Sequence, residues 1–319
     1  MVSSQVGYQR TLCDHRPCLT PRASVDLNDY QALALQTDVR PQRELEDTVV
    51  HLLGLAGEAG SVAAEYKKHL RDGKAHGAWR ERMAEELGDV LWYLAAIADR
   101  LDLRLADIAA ANLAKTRARW IPGFPAPFDE SFPENERLPR SGVYEFRAVP
   151  ETEVSRPSVD LFFNGLKVGD RLTDASDSPD GYRFHDVFHL AFATFLGWSP
   201  LTRALLGRKR RSDRIVDENQ DGGRAVVLEE GISALAFAYG AEHGLLDGVE
   251  HVDQSLIGAI DSASANVEVA DRTGADWERA ILAGFKVFRE LLAHDGGFVA
   301  FDADAGQLEF MSEKPVTSD

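Results

Sequence analysis

Gly57-Glu58-Ala59-Gly60-Ser61-Val62-Ala63-Ala64-Glu65 and Glu85-Glu86-Leu87-Gly88-Asp89 are the stretches on which the reading of this sequence turns. Apolar residues recur at helical spacing around both. Leu45, Val49, Leu52, Leu53, Val62, Tyr66 and Leu70 mark one block, and Met83, Leu87, Val90, Leu91, Leu94, Ile97 and Leu101 mark the next. On a helix, Glu58 and Glu65 lie along one face with Ser61 or Val62 between them. Glu86 and Asp89, three residues apart, share a face of another. Because the acids adjoin the apolar stripes, they point toward the interior or the mouth of a bundle. Carboxylates left uncompensated there are costly to desolvate, and a hard cation such as Mg²⁺ removes that cost by taking their oxygens as ligands. The competing reading is a solvated acidic face with Lys67, Lys68 and Arg82 as ion-pair partners.

Working outward, Leu27, Tyr30 and Leu33 or Ala34 mark a helical block before these two, and Leu105, Ile108 and Leu113 mark one after them. Asp72-Gly73 stops the long second block, and Pro122, Pro125 and Pro127 forbid continuation of the fourth. Seven of the 13 prolines fall between Pro122 and Pro157, which marks a domain boundary. Val143 to Val149 and Val159 to Val168 have the β-branched and aromatic content of short strands. Helices follow at about 182–197, 224–243, 250–269 and 275–293, and Phe298 to Phe301 with Leu308 to Phe310 flank a turn as a terminal hairpin. The expected fold class is therefore mainly α. A flexible leader (1–24) precedes an antiparallel helical bundle (25–121), a Pro-rich linker with short strands (122–180), a second helical domain (181–312) and a tail (313–319). A leader site built from Cys13, His15 and Cys18 lacks a fourth ligand at zinc-like spacing.

The 319 residues, 44% of them hydrophobic, can bury one large core or two ordinary ones, which excludes general disorder. No run approaches the roughly 20 apolar residues needed to cross a bilayer, and no apolar segment opens the chain, so a cytoplasmic location is expected. The net charge of −17 repels a nucleic-acid backbone and disfavours nucleic-acid binding. Only two cysteines occur, so no disulfide framework is expected.

From about Asp26 to Trp120 the sequence resembles the MazG-type domain of the all-α nucleoside triphosphate pyrophosphohydrolases. The likeness is carried by Asp29-Tyr30-Gln31 with Thr37, Gly54-Leu55-Ala56-Gly57-Glu58-Ala59-Gly60 and the Lys67-Lys68 pair. It continues in Glu85-Glu86-Leu87-Gly88-Asp89-Val90-Leu91-Trp92-Tyr93-Leu94, and in Asn112-Leu113-Ala114-Lys115 with Arg117 and Arg119. The resemblance implies a bundle completed by dimerisation, in which acids from two adjacent helices hold Mg²⁺. It also implies cleavage of a nucleoside triphosphate to the monophosphate and pyrophosphate, with Mn²⁺ as a substitute ion. Glu58, Glu86 and Asp89 are the matching acids. The family usually has a glutamate where this chain has Ser61, and Glu65, two turns beyond Glu58, is expected to restore the missing carboxylate. Glu58, Glu65, Glu86 and Asp89 are thus the expected catalytic and metal-binding set. Lys68, Lys115 and Arg119 are candidates for phosphate contacts, Asn112 for the sugar or base, and Trp92 and Tyr93 for stacking or core packing. If Glu65 does not reach the metal, the alternative is a nucleotide sensor with weak or no turnover that signals through the C-terminal domain.

In the second half, His185 and His189 are four residues apart on one expected helix, a spacing that chelates transition metals, with Glu229-Glu230 on another. A third reading is a phosphohydrolase using His185, His189 and Glu229. Glu229-Glu230-Gly231-Ile232-Ser233-Ala234-Leu235 echoes Glu85 to Leu91, which suggests a diverged second copy and an intrachain pseudo-dimer in place of a homodimer. Arg203, Arg208, Lys209, Arg210, Arg211 and Arg214 form a basic run, read as a solvated interhelical loop or a guide for anionic nucleotides.

Overall fold

The computed structural model describes residues 25–40, 43–123, 126–150 and 156–314. Cys13, His15, Cys18 and the expected leader lie outside the described residues. The chain divides into two compact units after Leu113.

The N-terminal unit is helical. Asp26 accepts a hydrogen bond from Asn28 N at 2.8 Å and caps α1 (Leu27–Leu35). The long α2 (Leu45–Asp72) stops at Gly73, whose φ of +54° is the left-handed geometry that favours glycine. A short connection then folds α3 (Trp79–Arg100) back along α2. The next helix, α4 (Leu105–Trp120), begins in this unit and runs past the division at Leu113; it starts where Gln31 of α1 reaches across, Gln31 Oε1 accepting from Leu105 N at 2.9 Å and Gln31 Nε2 donating to Leu103 O at 3.0 Å. The four helical blocks read from the sequence are thus present.

A buried polar node ties these helices. Arg100 donates to Asp38 Oδ2 at 2.8 Å and to Ala96 O at 3.0 Å, and both side chains of the pair are buried. His51 closes the node from α2, with Nε2 3.3 Å from Asp38 Oδ1 and Nδ1 2.7 Å from Asp47 O. Burial opposes ionisation of Asp38, but the Arg100 hydrogen bond and charge hold its carboxyl below the usual range. Trp92 and Tyr93 are structural. Trp92 Nε1 donates to Thr37 Oγ1 at 2.8 Å, its ring stacks on His51 at 5.8 Å, and Tyr93 meets it edge-on at 5.0 Å.

The C-terminal unit departs from the expectation of a second helical domain. Its core carries a five-stranded antiparallel sheet in the order β3-β2-β1-β4-β5. The strands are β1 (Ser141–Ala148), β2 (Ser158–Phe163), β3 (Leu166–Thr173), β4 (Gly297–Asp302) and β5 (Gln307–Met311). The stretch 122–180 is therefore no linker, since it supplies three strands of this sheet. Asn164-Gly165, both at positive φ, make the tight β2–β3 turn. The expected terminal hairpin is β4–β5, but β1 pairs with β4 (Tyr144 opposite Val299), so segments far apart in sequence share one sheet. Tyr144 and Phe146 of the central strand are buried, as are Phe188, Phe192, Trp277, Phe285 and Phe288 from the helices α5 (Asp186–Leu196) and α10 (Gly274–His294). The remaining helices are α6 (Pro200–Leu205), α7 (Arg214–Asn219), α8 (Gly223–Glu242) and α9 (Gln254–Ser264).

Two further expectations change here. The echo of the acidic motif lies on α8 within this sheet-and-helix unit, and a second four-helix bundle is not what the segment builds. The basic run is not a solvated loop throughout: Arg203 and Arg210 are buried. Arg203 Nη2 donates to Asp129 Oδ2 at 2.6 Å, and Arg210 Nη2 donates to Asp221 Oδ1 and Glu268 Oε1, each at 2.6 Å. These arginines staple distant segments and are not a guide for nucleotides. Among the described residues no helix is long and apolar enough to cross a membrane.

Gly54 sets how closely α2 and α3 approach. A Cβ there would stand 2.3 Å from Tyr93 Cε1. An alanine in an exposed helix interior ordinarily stabilises by about 1 kcal/mol relative to glycine. At this position Gly54→Ala is expected to destabilise the N-terminal unit by about 1–3 kcal/mol through overpacking. Urea unfolding of the full chain, followed by near-ultraviolet dichroism, checks this; unchanged or raised stability would contradict it.

Candidate metal and nucleotide site

The long α2 and the returning α3 bring three of the four expected acids together. One carboxylate oxygen from each of Glu58, Glu86 and Asp89 lies within 4.8 Å of the other two. Glu58 and Glu86 are partly buried and Asp89 is exposed. Among the described residues none of the three is ion-paired with a lysine, arginine or histidine. At an effective dielectric of 20, two unit charges about 4 Å apart repel by about 4 kcal/mol, so the arrangement favours a cation between them. The donor set is oxygen only, which suits Mg²⁺ or Mn²⁺.

The surroundings of the trio are open. A Cβ at Gly57, Gly60 or Gly88 would meet no atom within 4 Å, so packing does not demand glycine there, in contrast to Gly54. Small residues beside the acids leave space at this surface. The Tyr30 hydroxyl of α1 lies in the field of Asp89: partial burial, then the Asp89 charge, raises its pKa. Tyr30 packs against the small core of Ala95, Ala98 and Leu105, and in the sequence it belongs both to the apolar period and to the Asp29-Tyr30-Gln31 match.

Glu65 stands apart from the trio, and the expected replacement of the carboxylate missing at Ser61 is not formed. Its side chain is buried in a local cluster, ion-paired with Lys68 and 2.9 Å from His76 Nε2. Seven residues advance a helix by about 10.5 Å, and near-coincidence of angle does not close that distance. Lys68 is consequently committed to Glu65. Arg119 is likewise engaged within the C-terminal unit, with Nη1 3.1 Å from Glu278 Oε2 and Nη2 donating to Val252 O at 3.0 Å. Asn112 and Lys115 are exposed on α4.

In the C-terminal unit, His185 and His189 converge with Glu230, whereas the expected Glu229 does not join them. Glu229 is fully buried and supports His189 from behind at 2.9 Å.

A family model for the MazG nucleotide pyrophosphohydrolase domain matches residues 48–121, and one for the MazG C-terminal domain matches residues 124–314. The chain is also similar to the Gene 37 protein of Mycobacterium phage L5, 38% identical over a 96-residue alignment that covers 28% of this chain and 84% of the phage protein. No solved structure matches the chain significantly.

The Glu65 cluster generates a pH prediction. The Lys68 hydrogen bond foremost, against burial and with help from His76, lowers the Glu65 pKa below 4.5. A carboxyl whose folded value is depressed stabilises the fold above its ordinary value, and that contribution is lost as pH falls through the folded value. Glu65→Gln is therefore expected to lower the unfolding midpoint at pH 7, with the deficit shrinking below about pH 4.5, and to leave Mn²⁺ affinity unchanged. Denaturant melts across pH with Mn²⁺ titration check both; a large loss of Mn²⁺ affinity would return Glu65 to the metal site.

Proposed function

Because the chain belongs to the MazG family, with a pyrophosphohydrolase-type domain followed by a MazG C-terminal domain, we propose that it is a Mg²⁺-dependent nucleoside triphosphate pyrophosphohydrolase. The observation that carries this reading is the convergence of Glu58, Glu86 and Asp89 on α2 and α3, with no cationic partner among the described residues. A triphosphate carries about four negative charges near neutral pH and is repelled by three carboxylates unless a cation lies between them. Glu58, Glu86 and Asp89 would hold the Mg²⁺, which when bound would supply charge neutralisation for the phosphates and activation of a water for attack at the α-phosphorus. Glu58 and Glu86, anchored on two packed helices, fix the position of that charge, and Asp89 extends it to the open surface. Asn112 and Lys115, exposed on α4, are the proposed contacts to the sugar or base and to phosphate; Lys68 and Arg119 are not assigned this role because their charges are engaged elsewhere. The products are the monophosphate and pyrophosphate, and the role is control or cleaning of the nucleotide pool.

The absence of Glu65 from the trio favours one second reading, a nucleotide sensor with weak turnover. The two part on steady release of pyrophosphate, which a sensor does not sustain.

Leu52, Leu53, Leu70, Leu87 and Leu113 of the N-terminal unit are exposed, more apolar surface than a helical unit leaves uncovered. A second copy of the chain is the proposed cover.

The expected assay result is Mg²⁺- or Mn²⁺-dependent release of pyrophosphate by a species that light scattering sizes as a dimer. Glu86→Gln and Asp89→Asn should each lower turnover by at least about a hundredfold, since each removes a charged ligand at constant shape. Orthophosphate as sole product, or near-normal rates in both variants, would overturn the assignment.

A further inference from the structure

The C-terminal unit contains a second cluster whose donors differ in kind. His185 lies at the start of α5, His189 one turn along it, and Glu230 on α8. One ligand atom from each lies within 4.8 Å of the others. His189 Nε2 is 3.6 Å from Glu230 Oε2, and His185 Nε2 is 3.9 Å from the same oxygen. Both separations are too long for hydrogen bonds. Two donors each about 2.1 Å from one ion at a tetrahedral angle stand about 3.4 Å apart, so an ion fits among the three with small adjustments.

The other ring nitrogens are already occupied. His185 Nδ1 donates to Tyr182 O at 2.8 Å, and His189 Nδ1 donates to Glu229 Oε1 at 2.9 Å. Each bond places the ring proton on Nδ1 and turns the Nε2 lone pair toward Glu230, the arrangement by which metal-binding histidines are oriented. Glu229 is itself held rigidly, accepting from Ser199 Oγ at 2.6 Å and Leu201 N at 2.7 Å. The Tyr182 ring stacks on His185 at 4.3 Å with an interplanar angle of 2°, which fixes the second imidazole.

An independent observation points to a ligand. His189 is 1% exposed, and its Nε2 has no hydrogen-bond partner. An orphaned buried nitrogen is destabilising, and here it is aimed at the cluster.

We infer that His185, His189 and Glu230 form a binding site for a divalent transition-metal ion of the zinc class, bridging α5 and α8 and supported by Glu229. Two imidazoles and one carboxylate leave coordination positions open, and the Glu230 side chain is 42% exposed, so the site communicates with solvent. Asp186 Oδ1, 3.4 Å from His185 Nε2, stands next to those positions. Imidazole donors separate this site from the oxygen-only trio of the N-terminal unit, which selects hard ions.

The test is metal content and affinity of the full chain, independent of any hydrolytic activity. After dialysis in Mg²⁺ buffer, elemental analysis should find about one transition-metal ion per chain. After stripping with a chelator, Zn²⁺ titration should restore about one site and raise the melting temperature, and Co²⁺ should give the visible absorption of a low-coordinate nitrogen-and-oxygen site. His185→Gln and Glu230→Gln should each weaken Zn²⁺ binding by at least about a hundredfold, and Glu229→Gln by about ten- to a hundredfold. Glu86→Gln and the Cys13→Ser/Cys18→Ser double variant should keep the ion. The partly exposed Glu230 makes its glutamine variant the decisive one, because glutamine keeps the shape of the side chain while removing the charged ligand, and circular dichroism of the variant checks that it folds. Absence of binding by the stripped chain overturns the inference, as does unchanged Zn²⁺ affinity in Glu230→Gln. Loss of the ion in either control variant, with Glu230→Gln unaffected, overturns it equally.

Discussion

Glu58, Glu86 and Asp89 bring three carboxylates within 4.8 Å of one another, and their mutual repulsion calls for a scaffold that holds them and an opening that admits a counter-charge. The scaffold is the α2–α3 pair. Gly54 admits the Tyr93 ring, and Trp92 is pinned to Thr37 at the end of α1. The Asp38–Arg100 pair, closed by His51, anchors the far end of α3. The openness comes from Gly57, Gly60 and Gly88, none of which is demanded by packing. Close packing at one point of the helix pair and empty space at another together make a site.

Much of this was legible in local patterns. The helical period fixed four blocks, Asp72-Gly73 and the prolines marked their ends, and i,i+3 spacing put Glu86 and Asp89 on one face. Angle along a helix is readable from sequence, but distance to a partner on another helix is not. That is why Glu65 looked equivalent to the other acids and instead fell in with Lys68 and His76. Charge was legible in the same limited way. Arg203 and Arg210 count as a basic run in the sequence, yet they are buried against Asp221 nearby and against Asp129 and Glu268 from far along the chain.

The C-terminal unit was less legible for a topological reason. Its strands read only in part as short β segments: 159–168 looks like one strand, whereas Asn164-Gly165 turns the chain between β2 and β3. The pairing of β1 with β4 joins Ser141 to Asp302, and no local pattern announces such a partner. Missing that pairing turned three strands of a sheet into a linker and left a mixed unit to be described as helical. The pair His185 and His189 was visible from spacing. The identity of the third group was not, because Glu229 and Glu230 are adjacent and only the rotation of α8 decides which of them faces the imidazoles from the front.

The central claim is that the acid trio directs attack at the α-phosphorus of a nucleoside triphosphate. Hydrolysis in heavy-oxygen water, with mass analysis of both products, tests it most directly. The account predicts the label in the nucleoside monophosphate and none in the pyrophosphate. Label in pyrophosphate or in orthophosphate would place the attack elsewhere and contradict it.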